Sequence, residues 1–201
     1  VTIAGNTGQT MVGGAVQLIP NQPLSFVYRL TNTTWYPFAG GAGRASSLVS
    51  GTAVASTSGT AIDFTGIPSW VRRITVMFAG MSTNGSSEYV LRIGDSGTIS
   101  ATGYVGAYSI NASVSASTTG FGIANGSSST ATIMSGSVIL TLLDATTYKW
   151  TCMGMLGESD TVRMTYTAGY KALSGALTNI RITTINGTDT FDAGSINILY
   201  E

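Results

Sequence analysis

The sequence predicts an all-β protein, with an antiparallel, jelly-roll-like β-sandwich and a small N-terminal β module. Short runs of alternating apolar and polar residues recur along the whole chain, and such alternation is typical of half-buried strands. Gly, Ser, Thr and Asn separate the runs, and almost no segment has helical periodicity. Residues 191–201 alternate up to the last position, which predicts a terminal strand held within a sheet.

Residues 1–38 are predicted to form the small β module. They contain short apolar runs with turn signals at Gly13-Gly14 and at residues 20–23. Because so small a unit buries little apolar surface, we expect it to pack on the next domain or on sister chains. Residues 39–51 are dominated by Gly, Ala and Ser, which indicates a flexible linker or a short helical neck. Since residue 1 is Val, we expect a piece of a longer protein or a chain that has lost its start.

Residues 52–201 are predicted to form the main domain, a two-sheet sandwich. Ile74, Val76 and Phe78 alternate on one face of a strand, whereas residues 138–143 are apolar on both faces, which predicts a central strand. Asn-Gly pairs indicate hairpin turns, because both residues accept the positive φ angles of such turns. The predicted strands lie near 52–56, 60–65, 71–79, 88–94, 98–110, 113–124, 131–143, 147–156, 161–171, 177–186 and 193–200.

The composition favours a protein that works through its surface and its assembly. Charged residues make up 9% of the chain, against about 25% in an average soluble domain. The net charge is zero, so the chain lacks the basic excess that nucleic-acid binding or an anionic membrane surface requires. A neutral chain with 43% hydrophobic residues tends to self-associate unless its apolar faces are buried in an oligomer. The sequence has no apolar run long enough to span a membrane.

The residue types used for nucleophilic and metal chemistry are scarce. The chain has no His, so the usual base of a catalytic triad and the commonest zinc ligand are both missing. Cys152 is the only cysteine, which makes an intrachain disulfide impossible and favours synthesis in a reducing cytoplasm. Its strand-like neighbours predict a small buried hydrophobe. The sequence therefore predicts no catalytic residue, no cofactor and no metal site.

Two alternatives that use carboxylates remain open, glycan hydrolysis by an acidic pair and calcium binding. The candidate acidic pairs are Glu88 with Asp95, Glu158 with Asp160, and Asp189 with Asp192. Each pair is local and lies in or beside a turn, so solvated or capping carboxylates are the simpler interpretation. Asp189 and Asp192, close to Asn186, also form the calcium candidate, although their spacing differs from an EF-hand loop.

Several stretches resemble tail fibre and tailspike proteins of tailed bacteriophages. The similar stretches are residues 59–76, 93–97 with 102–104, the C-terminal 187–201, and, in the N-terminal part, 21–28 with 33–36. Together they touch most of the chain, and they form no catalytic signature. The resemblance implies a virion component, usually a homotrimer, that contacts the host surface.

We expect a non-catalytic sugar site, because flat aromatic rings and neutral polar groups suit the apolar CH faces and hydroxyls of sugars. The candidate ligand-binding residues are Trp70, Asn84, Tyr104 and Tyr108. Trp70 also suits a role as a plug at the end of the core, and the two tyrosines suit intersubunit contacts. Trp150 alternates with Cys152 on a predicted strand and is expected in the core. Arg72 is expected to point outward, with an acidic glycan as the alternative partner.

These observations and the resemblance lead to one functional hypothesis. The chain is expected to be a phage tail fibre or receptor-binding tip, located in the virion tail and made in the host cytoplasm. Its expected partners are sister chains in a homotrimer, other tail proteins, and host polysaccharide or lipopolysaccharide that it binds without cleaving. The alternatives are a purely structural virion subunit, for capsid decoration or tail assembly, and a glycan depolymerase.

Overall fold

The computed structural model describes residues 48–110, 113–124, 132–159 and 163–201, together with the backbone of five short strands before residue 48. The chain divides into two compact units, Val1–Ser47 and Leu48–Glu201. This boundary falls inside the stretch 39–51 that was predicted to be a linker. Each unit is described by itself.

The first unit consists of short strands in two small sheets. Strand β1 pairs antiparallel with β3, and β5 pairs antiparallel with β4 and parallel with β2. The strands are β1 (Thr2–Ile3), β2 (Thr10–Met11), β3 (Val16–Gln17), β4 (Phe26–Arg29) and β5 (Thr34–Pro37). These pairings agree with the β character predicted for this region.

The second unit is built of antiparallel sheets in a sandwich-like arrangement, and its described residues include no helix. Its strands are β6 (Val49–Ser50), β7 (Val54–Ala55), β8 (Ala61–Phe64), β9 (Arg73–Thr83), β10 (Tyr89–Asp95), β11 (Thr98–Ile99), β12 (Val105–Ile110), β13 (Ser113–Ala116), β14 (Phe121–Ala124), β15 (Met134–Asp144), β16 (Lys149–Glu158), β17 (Arg163–Ala172), β18 (Leu177–Thr184) and β19 (Phe191–Tyr200). The predicted all-β, antiparallel fold class is therefore confirmed, whereas the jelly-roll connectivity stays a prediction.

Two sheets make up this unit. The large, nine-stranded sheet has the order β13-β12-β17-β16-β15-β9-β19-β6, with β7 also paired to β19. The small, five-stranded sheet has the order β11-β10-β18-β8, with β14 also paired to β10. The C-terminal β19 lies inside the large sheet, between β9 and the short β6 and β7, in agreement with the terminal strand predicted for residues 191–201.

Two predicted strands are each divided in the structure. The stretch 98–110 forms β11 and β12, which belong to different sheets, with Gly103 at a positive φ of 73° between them. The stretch 113–124 forms β13 in the large sheet and β14 in the small sheet. In both cases the alternation continues across a turn, so the pattern alone does not show where the chain changes sheets.

The core lies between the sheets and is made by the alternating residues that the sequence singled out. Ile74, Val76 and Phe78 of β9 are buried, as are Val138 and Leu140 of β15. All four residues of β14 are buried as well. Each fully buried large apolar side chain stabilises the fold by about 1.5–3 kcal/mol relative to an exposed one, so these facing rows fix which side of each strand points inward. No helix in the described residues has the length and hydropathy of a membrane span.

Candidate functional site

One end of the sandwich carries an exposed aromatic ring on a short, well-tied loop. Trp70 lies between β8 and β9 with 40% of its surface exposed. Its ring is tilted against that of Tyr200, with 5.8 Å between the ring centroids. The Val71 amide donates to the Pro68 carbonyl oxygen at 3.1 Å, which closes the turn that presents Trp70. The indole thus contacts the last strand, and a large part of its surface remains exposed to solvent.

A cavity of about 270 Å³ adjoins this loop. Its apolar wall includes Val71, Leu142 and Leu177, which come from the loop, from β15 and from β18. Its polar lining groups belong to Ser69, Arg72 and Tyr148. Hydroxyl and guanidinium groups donate hydrogen bonds, and no carboxylate lines the cavity, so it suits a ligand rich in acceptor oxygens.

Arg72 gives the cavity a fixed cation, whereas the N–H of Trp150 is buried in the core. The Arg72 Nη1 donates to the carbonyl oxygens of Ser69 at 3.0 Å and of Val71 at 3.1 Å, which holds the exposed guanidinium over the loop. Trp150 is 2% exposed, which confirms its predicted place in the core, and its indole N–H has no hydrogen-bond partner. A buried donor without a partner costs about 1–3 kcal/mol. Because that nitrogen is buried, a ligand in the cavity does not reach it.

Tyr104 is a core residue, which corrects the expectation of an accessible sugar-binding ring. Only 3% of its surface is exposed, and its ring packs edge-on against Phe121 with 5.0 Å between the centroids. The hydroxyl accepts from the Ile93 amide at 2.8 Å and donates to the carbonyl oxygen of Ser100 at 2.9 Å or of Ile93 at 3.2 Å. Burial raises the pKa of Tyr104 to about 12. Its ring and hydroxyl therefore bind other parts of the fold.

Tyr108 is also buried and is not available as an exposed ring on this chain. It lies on β12, and its ring packs over Gly122 of β14 so closely that a Cβ on Gly122 would overlap the ring. Burial, together with a hydrogen bond to Glu88, raises the pKa of Tyr108 to about 12, and a hydrogen bond to Ser115 opposes this increase. The lack of a side chain at Gly122 therefore makes room for the Tyr108 ring.

Asn84 is exposed, but its side chain ties two loops together at the opposite end of β18 from the cavity. Its Oδ1 accepts from the Thr190 amide at 2.9 Å. Nearby, Asp189 accepts from the Ser87 amide at 2.9 Å and from the Asn186 side-chain amide at 2.5 Å. This loop cluster is a hydrogen-bonded structural unit, and the structure does not bring Asn84 together with Trp70.

The candidate carboxylates mostly serve the same structural purpose. Asp95 accepts from the Ser174 hydroxyl at 2.7 Å and from the Gly175 amide at 2.6 Å, and these hydrogen bonds hold its pKa below the usual range although desolvation opposes them. Glu158 is buried beside Arg163, with 3.3 Å between their charged atoms. Asp192 is hydrogen-bonded to Ser82.

The partner proposed for Glu158, Asp160, lies outside the described residues. Among the residues that the structure does describe, no group of three or more His, Cys, Asp or Glu side chains is arranged to hold a metal.

A second surface, which the sequence did not single out, covers the side of the large sheet that faces away from the core. We call this surface the outer face. Register places Ala116, Ala107, Ala168, Met153 and Ile139 in one row across five neighbouring strands. A parallel row contains Val114, Ser109, Tyr166, Met155 and Ser137. Met153 is 63% exposed, Tyr166 54% and Val114 70%.

Charged side chains are confined to the ends of these five strands or turn toward the core. Lys149 and Asp144 stand at strand ends. The Lys171 ammonium lies 5.6 Å from the centroid of the buried Tyr104 ring, and Arg163 pairs with the buried Glu158. The middle of the outer face is consequently apolar and uncharged. Alternation along β17 indicates only one strand of this face, since residues 164, 166, 168 and 170 all point away from the core.

Comparisons with known proteins add no relative to this description. No protein-family model matches the chain, and neither does any curated protein or any solved structure with which it was compared.

Proposed function

We propose that this chain is a receptor-binding or fibre-tip subunit of a bacteriophage tail. It is made in the host cytoplasm, is incorporated in the virion, and attaches to polysaccharide or lipopolysaccharide of the host envelope without cleaving it. The stretches that resemble tail fibre and tailspike proteins support the virion assignment. The antiparallel sandwich with short connecting loops supports a role in which rigid strands present a binding surface at one end.

The half-exposed ring of Trp70 beside the donor-lined cavity is the observation that carries the proposal. A sugar ring presents an apolar CH face that suits an indole surface. Its hydroxyl or carboxylate oxygens are acceptors that match Arg72, Tyr148 and Ser69 at the cavity wall. At about 270 Å³ the cavity lies just below the range of roughly 300–1,000 Å³ for drug-sized ligands. It therefore suits one sugar unit of a longer chain.

Binding without cleavage is proposed because Glu88, Asp95 and Asp189, among the described candidate acids, are poorly placed for glycoside hydrolysis. Such hydrolysis needs two carboxyl groups roughly 5–10 Å apart across the scissile bond. Glu88 directly precedes the extended strand β10, and Asp95 is its last residue. Seven residues of strand span about 23 Å. Asp189 and Asp95 are each engaged by loop hydrogen bonds. These carboxylates stabilise turns, and none of them lines the Trp70 cavity.

Trp70→Ala tests the proposal. The variant should bind host cells or their purified polysaccharide about 10- to 100-fold more weakly, because it loses an aromatic anchor of about 1–3 kcal/mol. Ile185→Ala is the matched control, since Ile185 is similarly exposed but follows the opposite end of β18. Unchanged binding by the Trp70 variant, with the control also unchanged, would remove the cavity end as the receptor site. The polysaccharide length after incubation is measured in parallel, and shortened chains would indicate a depolymerase.

A purely structural virion subunit is the second candidate, and the outer face is the observation that favours it. An uncharged apolar sheet face of this kind suits permanent contact with another protein. The two candidates differ in their prediction for adsorption. A structural subunit that does not touch the host should leave adsorption of whole particles unchanged in the Trp70→Ala variant, whereas a receptor-binding tip should lose it.

A further inference from the structure

We propose that the outer face is the surface through which copies of this chain associate with one another. This inference goes beyond receptor binding and does not depend on it. It starts from the row Ala116, Ala107, Ala168, Met153 and Ile139, which crosses five strands of the large sheet without a charged residue.

The side chains of this row suit close packing against another flat surface. Ala107, Ala116 and Ala168 are short, so a second sheet can approach without large side chains holding it away. Met153 and Met155 are unbranched and flexible, and such side chains adapt to the shape of a facing surface. Packed sheets lie about 10 Å apart when their side chains interdigitate. The outer face thus has the composition of one half of a sandwich core.

The exposed apolar area is large enough for a stable subunit contact. The large apolar side chains exposed here are Val105, Val114, Met153, Met155, Met164, Tyr166 and Tyr170. With roughly 200 Å² for a full side chain of this size, their exposed fractions correspond to roughly 700 Å². The largest apolar patch on a typical monomer is about 300–600 Å², and a standard interface buries about 800 Å² on each partner. Ala107, Ala116 and Ala168 are exposed as well and add to this area.

The charge distribution selects a second copy of this chain as the occupant. An uncharged face offers no complement to nucleic acid, to an anionic membrane or to a strongly charged protein. Two copies of this chain meet without long-range repulsion, because the net charge is zero. The charged groups that border the face, such as Lys149 and Asp144, stand at strand ends, where the rim of an interface is normally polar.

Two arrangements satisfy this face. Two copies can pack face to face about a two-fold axis, or three copies can turn their outer faces toward a common three-fold axis. The resemblance to tail fibre proteins implies the second arrangement. Both place Ala168 near the centre of the buried area, since β17 is the middle strand of the five, and Met153 lies directly beside it on β16.

Met153→Glu tests the inference on the full chain. Native mass and sedimentation at micromolar concentration should show an oligomer for the unchanged protein and a monomer for the variant. We expect the dissociation constant to rise at least about 100-fold, because the new carboxylate would be buried without a partner. Thr57→Glu adds the same charge at an exposed loop position and should leave the oligomer intact. Circular dichroism should remain that of a β protein in both variants, since both sites are exposed in the single chain.

A second substitution shows whether the effect is restricted to position 153. Ala168→Arg, in the neighbouring strand of the same row, should also give a folded monomer. A monomer for the unchanged protein would overturn the inference, as would an oligomer that survives both substitutions. A monomeric protein that floats with neutral lipid vesicles would overturn it in favour of a membrane surface. Trp70→Ala should keep the oligomer mass, so failure of the receptor proposal and failure of this inference are distinguishable.

Discussion

The hydroxyl of Tyr104 offers a direct test of how the core is held together. It accepts a hydrogen bond from the Ile93 amide at 2.8 Å and donates one to a carbonyl oxygen. Tyr104→Phe keeps the ring and its edge-on contact with Phe121, so little packing is lost. The Ile93 carbonyl oxygen keeps a second donor, the Ser100 amide at 3.1 Å. The Ile93 N–H, in contrast, loses its acceptor at a fully buried position.

The expected cost follows from that one unpartnered group. A buried amide without an acceptor costs about 1–3 kcal/mol, so we expect the free energy of unfolding to fall by about 2 kcal/mol. For a domain of this size, that corresponds to a decrease in Tm of roughly 4–8 °C. Urea titration and thermal melting followed by circular dichroism measure both quantities. Protein concentration is kept fixed, because association shifts apparent stability.

Tyr170→Phe is the matched control. The Tyr170 ring, like that of Tyr104, has a lysine ammonium 5.6 Å from its centroid, but it is exposed on the outer face. Its stability should stay within about 0.5 kcal/mol of the unchanged protein. If Tyr104→Phe is equally silent, the hydroxyl does not hold β10 in the way described.

Three further predictions concern titration, reactivity and the loop cluster. Burial raises the pKa of Tyr104 to about 12 from 10.0. The protonated hydroxyl therefore contributes fully to the free energy of unfolding below about pH 10, and this contribution is lost as the pH rises toward 12, by up to about 1.4 kcal/mol per pH unit. In urea titrations between pH 9 and pH 11, the free energy of unfolding of Tyr104→Phe should fall less steeply with pH than that of the unchanged protein. Burial also raises the pKa of the Cys152 thiol, so a thiol reagent should leave the folded protein unlabelled and react fully in urea, and rapid labelling of the folded chain would contradict the core position. A Cβ on Gly85 would overlap the Asp189 carboxylate, so Gly85→Ala should lower the free energy of unfolding by about 1–3 kcal/mol. Ser86→Ala, at the exposed neighbouring position, should change it by less than about 0.5 kcal/mol. Equal melting curves for the two variants would count against the contact between Gly85 and Asp189.

The position of each aromatic candidate depended on sheet membership rather than on local pattern. Trp70 and Tyr104 both sit in loop-like, glycine-containing surroundings, and the sequence treats them alike. In the structure Trp70 lies on an outer loop, whereas Tyr104 inserts between the sheets because β11 and β12 belong to different ones. The burial of Tyr108 depends on Gly122, a residue of another strand. Such contacts between distant residues are not recorded in the spacing of either segment.

For a similar reason, the cavity and the outer face could not be located from local sequence patterns. The cavity joins a loop before β9, the β15–β16 turn and the start of β18, so its donors come from separate parts of the chain. The outer face needs the register of five strands before its uncharged row is visible. The low charge content predicted that an apolar surface would exist, but not where it lies.

The sequence by itself determined that this chain is an antiparallel β protein, that Trp150 and Cys152 belong to the core, and that its last strand lies within a sheet. Those features follow from the two-residue period of strands and from the burial of apolar side chains, which are local properties of the chain. Only the tertiary structure decided which aromatic ring stays exposed, which loops share the cavity and which side of the large sheet is uncharged. These depend on strand order and on where the chain crosses between sheets, and contacts between residues far apart in sequence set both.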